Sequence, residues 1–176
     1  KQEKVDGAYQ IFKIRYAQFA KADIDFAYTK VFGERHQLAF HTALGVANPY
    51  GNAEILPFEE RYFSGGANSV RGWSVRTLGP GEFKNTSGDI DFMRQSGDIK
   101  LDLSCEYRVK LFWLLEGALF VDAGNIWTIK DYADQPEGVF RFNQFYKQIA
   151  CSYGLGLRAD FDFFILRFDF GFKLYD

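Results

Sequence analysis

Histidine, cysteine and serine are the side chains from which nucleophilic, acid–base or metal chemistry is usually built. In this chain they offer little. His36 and His41 are the two histidines, and their odd separation puts them on opposite faces of one extended strand, where they cannot share a proton or a metal. Cys105 and Cys151 are the two cysteines, too scattered to combine with the histidines at any zinc-ligand spacing. On separate predicted strands they do not make a disulfide framework either, and both read as small apolar surface residues. No serine stands in a nucleophile-elbow context. The pair Gly154-x-Gly156 lies inside an apolar alternation with no helix after it, which rules out a phosphate-binding loop. The expectation is therefore a protein that is not an enzyme, with no catalytic residue, no metal and no cofactor.

Composition narrows what kind of scaffold remains. A formal net charge of −2, with both signs interspersed, gives neither the basic footprint needed for nucleic acid nor a polybasic surface for anionic lipid. Aromatic residues make up 19% of the chain, with 20 Phe against one Met and four Pro, and glycines recur inside alternating stretches, which is a β signature. Nothing approaches the roughly 18 uninterrupted apolar residues of a spanning helix. The run Lys1 to Gly7 is charged and has no apolar signal-peptide core, so the chain reads as a mature protein or, preferably, an excised piece of a larger one.

The strands declare themselves by period two. From Asp98 to Leu111, Asp98, Lys100, Asp102, Ser104, Glu106, Arg108 and Lys110 alternate without a break with apolar residues. Ile149 to Phe161 repeats the design, and Phe163 to Tyr175 sets Phe164, Leu166, Phe168, Phe170, Phe172 and Leu174 opposite Arg167, Asp169, Gly171 and Lys173. Leu115 to Trp127 also reads as a strand, although Glu116, Asp122 and Gly124 share their face with Ala118, Phe120 and Ile126. Ala20 to Tyr28 and Leu38 to Val46 alternate more weakly, and Tyr9 to Tyr16 is a further strand or a connection. That makes six or seven strands. They exceed the usual five or six residues and suit the roughly 9–11 of a tilted membrane-crossing strand.

Alternation alone does not distinguish a barrel with an apolar exterior from a soluble barrel or sandwich with an apolar interior. Side-chain volume favours the first. The interior of a small barrel mixes large and small side chains to fit its taper, whereas the last strand presents an almost unbroken row of Phe and Leu. The opposite faces carry Arg158, Asp160, Arg167 and Asp169 with glycines between them, as a polar lumen would. Tyr107, Trp113, Trp127, Phe161 and Tyr175, near strand ends, are candidates for interfacial girdles. The fold expected is all-β: an antiparallel transmembrane β-barrel of which this chain is a part.

One long connection, from about residue 48 to residue 97, has a distinctive centre: ILPFEERYFSGGANSVRGWSVRTLGPG, from Ile55 to Gly81. Connections of this length are usually functional or disordered. Its glycines permit positive φ and close approach to a wall, and Phe63 and Trp73 offer anchors. The motif Val70-Arg71-Gly72-Trp73, preceded by Gly65-Gly66 and followed by Gly79-Pro80-Gly81, resembles the BamA and TamA superfamily of outer-membrane assembly and translocation proteins, also called the bacterial surface antigen family. The downstream strand Phe120-Val121-Asp122-Ala123-Gly124-Asn125-Ile126-Trp127 is similar to that family as well, with Phe120, Gly124 and Trp127 as its supporting residues. The likeness extends over the chain from about Ala20 onward.

The resemblance implies a long loop folded back into the barrel lumen, with Arg71 held by Asp122 and Glu106 on the inner wall. Strand parity supports this independently, since both carboxylates fall on polar faces. Arg71 would either simply stabilise a lid or take part in a working cycle. The family also implies sixteen barrel strands and upstream periplasmic POTRA domains. On that basis residues 1–176 would be the C-terminal portion of the barrel, without the POTRA domains, the first barrel half or the final strand. The implied location is the bacterial outer membrane. The implied activity is non-enzymatic folding and insertion of β-barrel clients by strand templating. The implied partners are unfolded outer-membrane β-barrel clients, the lipid bilayer, and accessory lipoproteins or periplasmic partners, with no nucleic acid. A translocation factor with a restricted client set, a passive outer-membrane channel, and a soluble binding barrel with a Phe-lined interior are the alternatives.

Overall fold

The computed structural model describes residues 4–5, 8–12, 14–84, 93–161 and 163–175. Parts of the charged N-terminal run, the stretch 85–92 of the long connection and the final Asp176 lie outside the described residues. Strands dominate, with two single-turn 3₁₀ segments at Phe58–Glu60 and Phe145–Lys147. Among the described residues no helix is long and apolar enough to cross a membrane.

Three short strands, β1 (Lys4–Val5), β2 (Ala8–Ile11) and β3 (Ile14–Arg15), form a small antiparallel sheet. The main body is a six-stranded meander of β4 (Gln18–Phe32), β5 (His36–Tyr50), β6 (Ile99–Lys110), β7 (Leu115–Trp127), β8 (Ala150–Asp160) and β9 (Ile165–Tyr175). Each strand pairs antiparallel with its neighbours in the chain, in the order β4-β5-β6-β7-β8-β9. At 11 to 15 residues, these strands have the length of membrane-crossing ones.

Register fixes the two faces. Ser104 lies opposite Asp122, which lies opposite Ser152, and Ala43, Asp102 and Gly124 line up in the same way. One face thus collects the charged residues, the glycines and the small residues. The other collects Leu103, Leu119, Val121, Leu155, Phe168, Phe170 and Phe172, all substantially exposed. An exposed apolar surface of this size is a liability in water and the expected surface in lipid.

Two boundaries differ from the sequence reading. Asn48, Pro49 and Tyr50 continue β5 instead of opening the long connection, because Gln18 and Phe19 of β4 still pair with Tyr50 and Pro49. A proline is tolerated there since β6 pairs with β5 only as far as Val46, which leaves that side of Pro49 without a ladder to interrupt. The weakly alternating upstream segments likewise become two 15-residue strands. Alternation fades where a strand runs past the apolar zone, but the ladder does not.

Trp127 also differs from the expectation of an interfacial girdle residue. It is 1% exposed, packed against Phe140 and Phe145 with ring centroids 5.6 and 6.3 Å away, and its indole N–H donates to Gln148 Oε1 at 2.8 Å. By contrast Trp113 is 84% exposed and Tyr175 54%. Cys105 and Cys151 are both free and half-buried.

Candidate functional site

The connection between β5 and β6 packs against the polar face of the sheet, and its tip turns on glycine. Gly65 and Gly66 have φ of 95° and 89°, values open to glycine and strained for other residues. They start a tight reversal closed by Gly66 N–H to the Trp73 carbonyl and Trp73 N–H to that of Val70. Val70, Trp73 and Leu78, with Ala150 of β8, form a small buried core, so the two faces of the loop tip have different jobs. The apolar side chains fix its shape, and Arg71 projects towards the wall.

The guanidinium of Arg71 is almost fully enclosed. Its Nε donates to Asp122 Oδ2 at 2.8 Å and its Nη2 to Asp122 Oδ1 at 2.7 Å, a two-pronged bond. Nη1 reaches Glu106 Oε2 at 2.6 Å and Asp169 Oδ2 at 3.4 Å, Nη2 also donates to Ser104 Oγ at 3.2 Å, and the backbone N–H of Arg71 donates to Asp122 at 3.2 Å. Its Cζ stands 3.4 Å above the centroid of the Phe120 ring. Planar, forked and weakly hydrated, a guanidinium can satisfy a carboxylate pair and stack on a ring at once.

Three further arginines surround the same carboxylates. Glu106 accepts from Arg108 Nε at 2.7 Å and Arg158 Nη2 at 2.5 Å, and Asp169 accepts from Arg167 Nε at 2.5 Å. Four guanidiniums thus face the carboxylates of Glu106, Asp122 and Asp169. Glu106 and Asp122 are 5% and 1% exposed. Buried carboxylates of this kind are tolerated only while paired.

Close backbone approach explains the glycine after Arg71. A Cβ at Gly72 would lie 2.7 Å from Ser152 Cβ and 3.3 Å from the backbone of Phe172 and Lys173, and one at Gly171 of β9 would run into the Arg71 carbonyl. The loop backbone therefore lies directly on the backbone of β9. A Cβ at Gly124 would come within 2.8 Å of the Asp102 carboxylate. On β8, Gly154 leaves room for the Phe120 ring beside it. The mixed inner face of β7, puzzling in sequence, is thus the floor on which the loop rests.

The loop touches every strand of the main sheet. On β4, Tyr62 donates to Asp23 at 2.6 Å and Lys21 pairs with Glu60 at 3.1 Å. Burial first, then the bond to Asp23, hold the Tyr62 phenol well above its ordinary range. The Tyr62 ring lies over Gly45 of β5, and Ser69 donates to Asp102 of β6 at 2.9 Å. At the far edge Arg167 of β9 donates to the Ala67 carbonyl at 3.0 Å, and the Lys173 ammonium sits 4.8 Å from the centre of the Trp73 ring.

A second tie lies near the strand ends, and sequence reasoning did not find it. Arg61 Nη2 donates to Gln135 Oε1 at 3.0 Å, Gln135 Nε2 donates to the Ser96 carbonyl at 2.8 Å, and Arg61 Nε stands 3.7 Å from Asp98 Oδ1. Asp98 in turn accepts from the Ile129 N–H at 3.0 Å. Burial raises the Asp98 carboxyl against the opposing effects of that N–H and Arg61. Burial likewise pushes the Tyr132 phenol, over which Arg61 lies, up to about 12. This knot joins the start of the loop to the β7–β8 connection. Ser104, Asp169 and Gly171 were also missed as Arg71-site residues. Parity was the available signal, since each falls on an inner face.

Among the described residues there is no group of three or more His, Cys, Asp or Glu side chains arranged to hold a metal. His36 and His41 are apart, bonded to Tyr107 and Asp25 respectively. The arrangement holds a loop across a sheet.

The family model for the Omp85 superfamily domain matches residues 10–176. The chain is 34% identical over 100 residues to the outer membrane protein assembly factor BamA of Neisseria meningitidis serogroup B, an alignment spanning 52% of this chain and 12% of that protein. In structure it resembles BamA from Haemophilus ducreyi lacking POTRA domains 1–3, with a TM-score of 0.71 and 21% identity over 90% of this chain and 32% of that one. CdiB from Acinetobacter baumannii is more distant, with a TM-score of 0.53 and 19% identity over 92% of this chain and 24% of that one. The chain thus spans a minor part of the length of each.

Proposed function

The chain belongs to the Omp85 superfamily, and from that premise we propose that the protein of which it is part folds and inserts β-barrel clients at the bacterial outer membrane. The six-stranded sheet is a portion of an outer-membrane β-barrel. We read it as one sector, from the C-terminal half, of a sixteen-stranded barrel with POTRA domains on the periplasmic side. The observation that carries the functional reading is the loop latched by Arg71 across all six strands. In a passive pore such a loop would narrow the lumen and tune its selectivity. A barrel that must stay intact while its wall is strained by a passing client gains a brace.

The proposed work is physical. An exposed strand edge templates a client strand by main-chain hydrogen bonding, and the client leaves sideways into the bilayer. No covalent step is involved, so no nucleophile or cofactor is called for. The clients would be unfolded outer-membrane β-barrels, with accessory lipoproteins or periplasmic partners delivering them.

Depletion of the full-length protein in its own cell, followed by quantitative proteomics of the outer membrane, tests this. A broad fall in other β-barrels is expected. A fall confined to a few would make it a specialised factor, and unchanged barrels with altered solute permeability would contradict the assembly reading.

A further inference from the structure

Guanidiniums outnumber carboxylates around the loop tip. Arg71, Arg108, Arg158 and Arg167 surround Glu106, Asp122 and Asp169. Arg158 and Arg167 moreover lie directly opposite one another on β8 and β9, a placement in which like charges repel. Among the described residues the ion-pair partner of Arg158 is Glu106 and not Glu116, which lies across from it on β7. A single oxygen, Glu106 Oε1, accepts from both Arg108 Nε and Arg158 Nη2, and the Nε of Arg158 is buried without a partner among the described residues.

The four arginines border a cavity of about 280 Å³ between the sheet and the loop tip at Ala67, Asn68 and Ser69. Arg108 and Arg167 remain partly exposed, so the cavity opens to the inner side. Its lining also includes Glu106 and Asp102, but both acids are already occupied, Glu106 by three guanidiniums and Asp102 by Lys100 and the Ser69 hydroxyl, each at 2.9 Å.

We propose that this cavity is an oxyanion site, in which Arg108, Arg158 and Arg167 receive a phosphate group or the carboxylate of an acidic peptide from outside this chain. Forked donors match the two-oxygen edge of either group, and a cavity walled by one sign of charge concentrates counter-ions. One further negative charge matches the fourth guanidinium. Arg71 keeps its own bonds to Asp122 and to Glu106 Oε2, so filling the cavity leaves the loop latched. The inference rests on the inner face lining a barrel interior and is independent of what the barrel does to clients.

The test titrates the full-length protein, folded in zwitterionic micelles at low ionic strength, with inorganic phosphate and, separately, with a short end-blocked peptide carrying one glutamate. Calorimetry follows binding, with sodium chloride of matched ionic strength as the control. A saturable single-site isotherm is expected with at least one of the two, and the tighter one identifies the source of the anion. Arg108→Gln with Arg158→Gln should weaken binding several-fold while heat-modifiable gel mobility shows the barrel folded. Arg35→Gln, which removes an exposed charge from the β4–β5 turn, should leave it unchanged. If the double variant does not fold, Arg167→Gln decides the matter, with weakened binding again expected. No saturable heat beyond the chloride control would overturn the proposal, assigning the excess charge to a carboxylate elsewhere in the barrel. So would binding that survives loss of these arginines, which would place the anion elsewhere.

Discussion

Arg71 and Asp122 meet through two parallel hydrogen bonds of 2.8 and 2.7 Å, and the same carboxylate also accepts the backbone N–H of Arg71. Side chain and main chain are thus held by one acid, which fixes both the position and the direction of the loop tip. Glu106 differs. It has Arg108 and Arg158 as additional partners, whereas Asp122 otherwise has only the hydroxyl of Ser104 among its described hydrogen bonds.

That asymmetry makes Arg71→Ala costly chiefly through Asp122. An unpaired buried carboxylate costs about 3–5 kcal/mol, and the loop should detach before the barrel unfolds. Trypsin digestion of the folded full-length protein would then cleave within the loop, at Arg61 or Arg76, much faster than in the parent. Arg71→Lys keeps the charge but loses the fork, and should fall between. Arg71→Ala with Asp122→Ala should be less damaging than the two single effects combined, because no uncompensated charge remains.

Gly72→Ala should loosen the same loop without touching any charge. Its φ is ordinary, but the added methyl meets Ser152 and the backbone of β9. Hydrogen exchange is expected to rise in residues around 64–78 and along β9, while β4 and β5 change little. Uniform exchange across all six strands would show that the glycine serves general stability instead.

The Arg61 knot gives a pH-dependent outcome. Asp98 is held above its ordinary value by burial, and Arg61 opposes that rise, so Arg61→Ala should raise it further. A carboxyl whose folded-state value is raised favours the folded state most at acid pH, and that contribution fades as pH climbs through the folded value. The loss in melting temperature caused by Arg61→Ala should therefore be larger at pH 7 than at pH 5. A deficit independent of pH would mean that Arg61 acts through Gln135 alone.

Cys105 and Cys151 lie on β6 and β8 with β7 between them. Reducing agent should leave the gel mobility of the folded protein unchanged, and Cys105→Ala with Cys151→Ala should alter its melting temperature only slightly.

Much of this was legible in sequence where one rule acted alone. β6, β8 and β9 are strictly two-faced, and their period gave their extent to within about two residues. β7 was harder because Phe120 and Ile126 interrupt its polar face, and only the loop lying on them explains why. The ends of β4 and β5 were missed because pairing continues where the apolar pattern fades. Val70-Arg71-Gly72-Trp73 stood out through its family resemblance, and the contacts of Arg71 and Gly72 give that pattern a physical reason. The knot of Arg61, Asp98, Tyr132 and Gln135 was invisible, since its members have no motif and Arg61 and Gln135 are 74 positions apart. Trp127 was misplaced because alternation gives its face correctly but says nothing of a later segment folding over it.

The most direct test of the assembly reading is to reconstitute the purified full-length protein into liposomes, add a urea-unfolded outer-membrane β-barrel, and follow the appearance of its folded, heat-modifiable form. Folding several-fold faster than in empty liposomes, and slowed by Arg71→Ala, is the expected result. Folding no faster than in empty liposomes, with the same vesicles passing small solutes freely, would contradict it and leave a channel in its place.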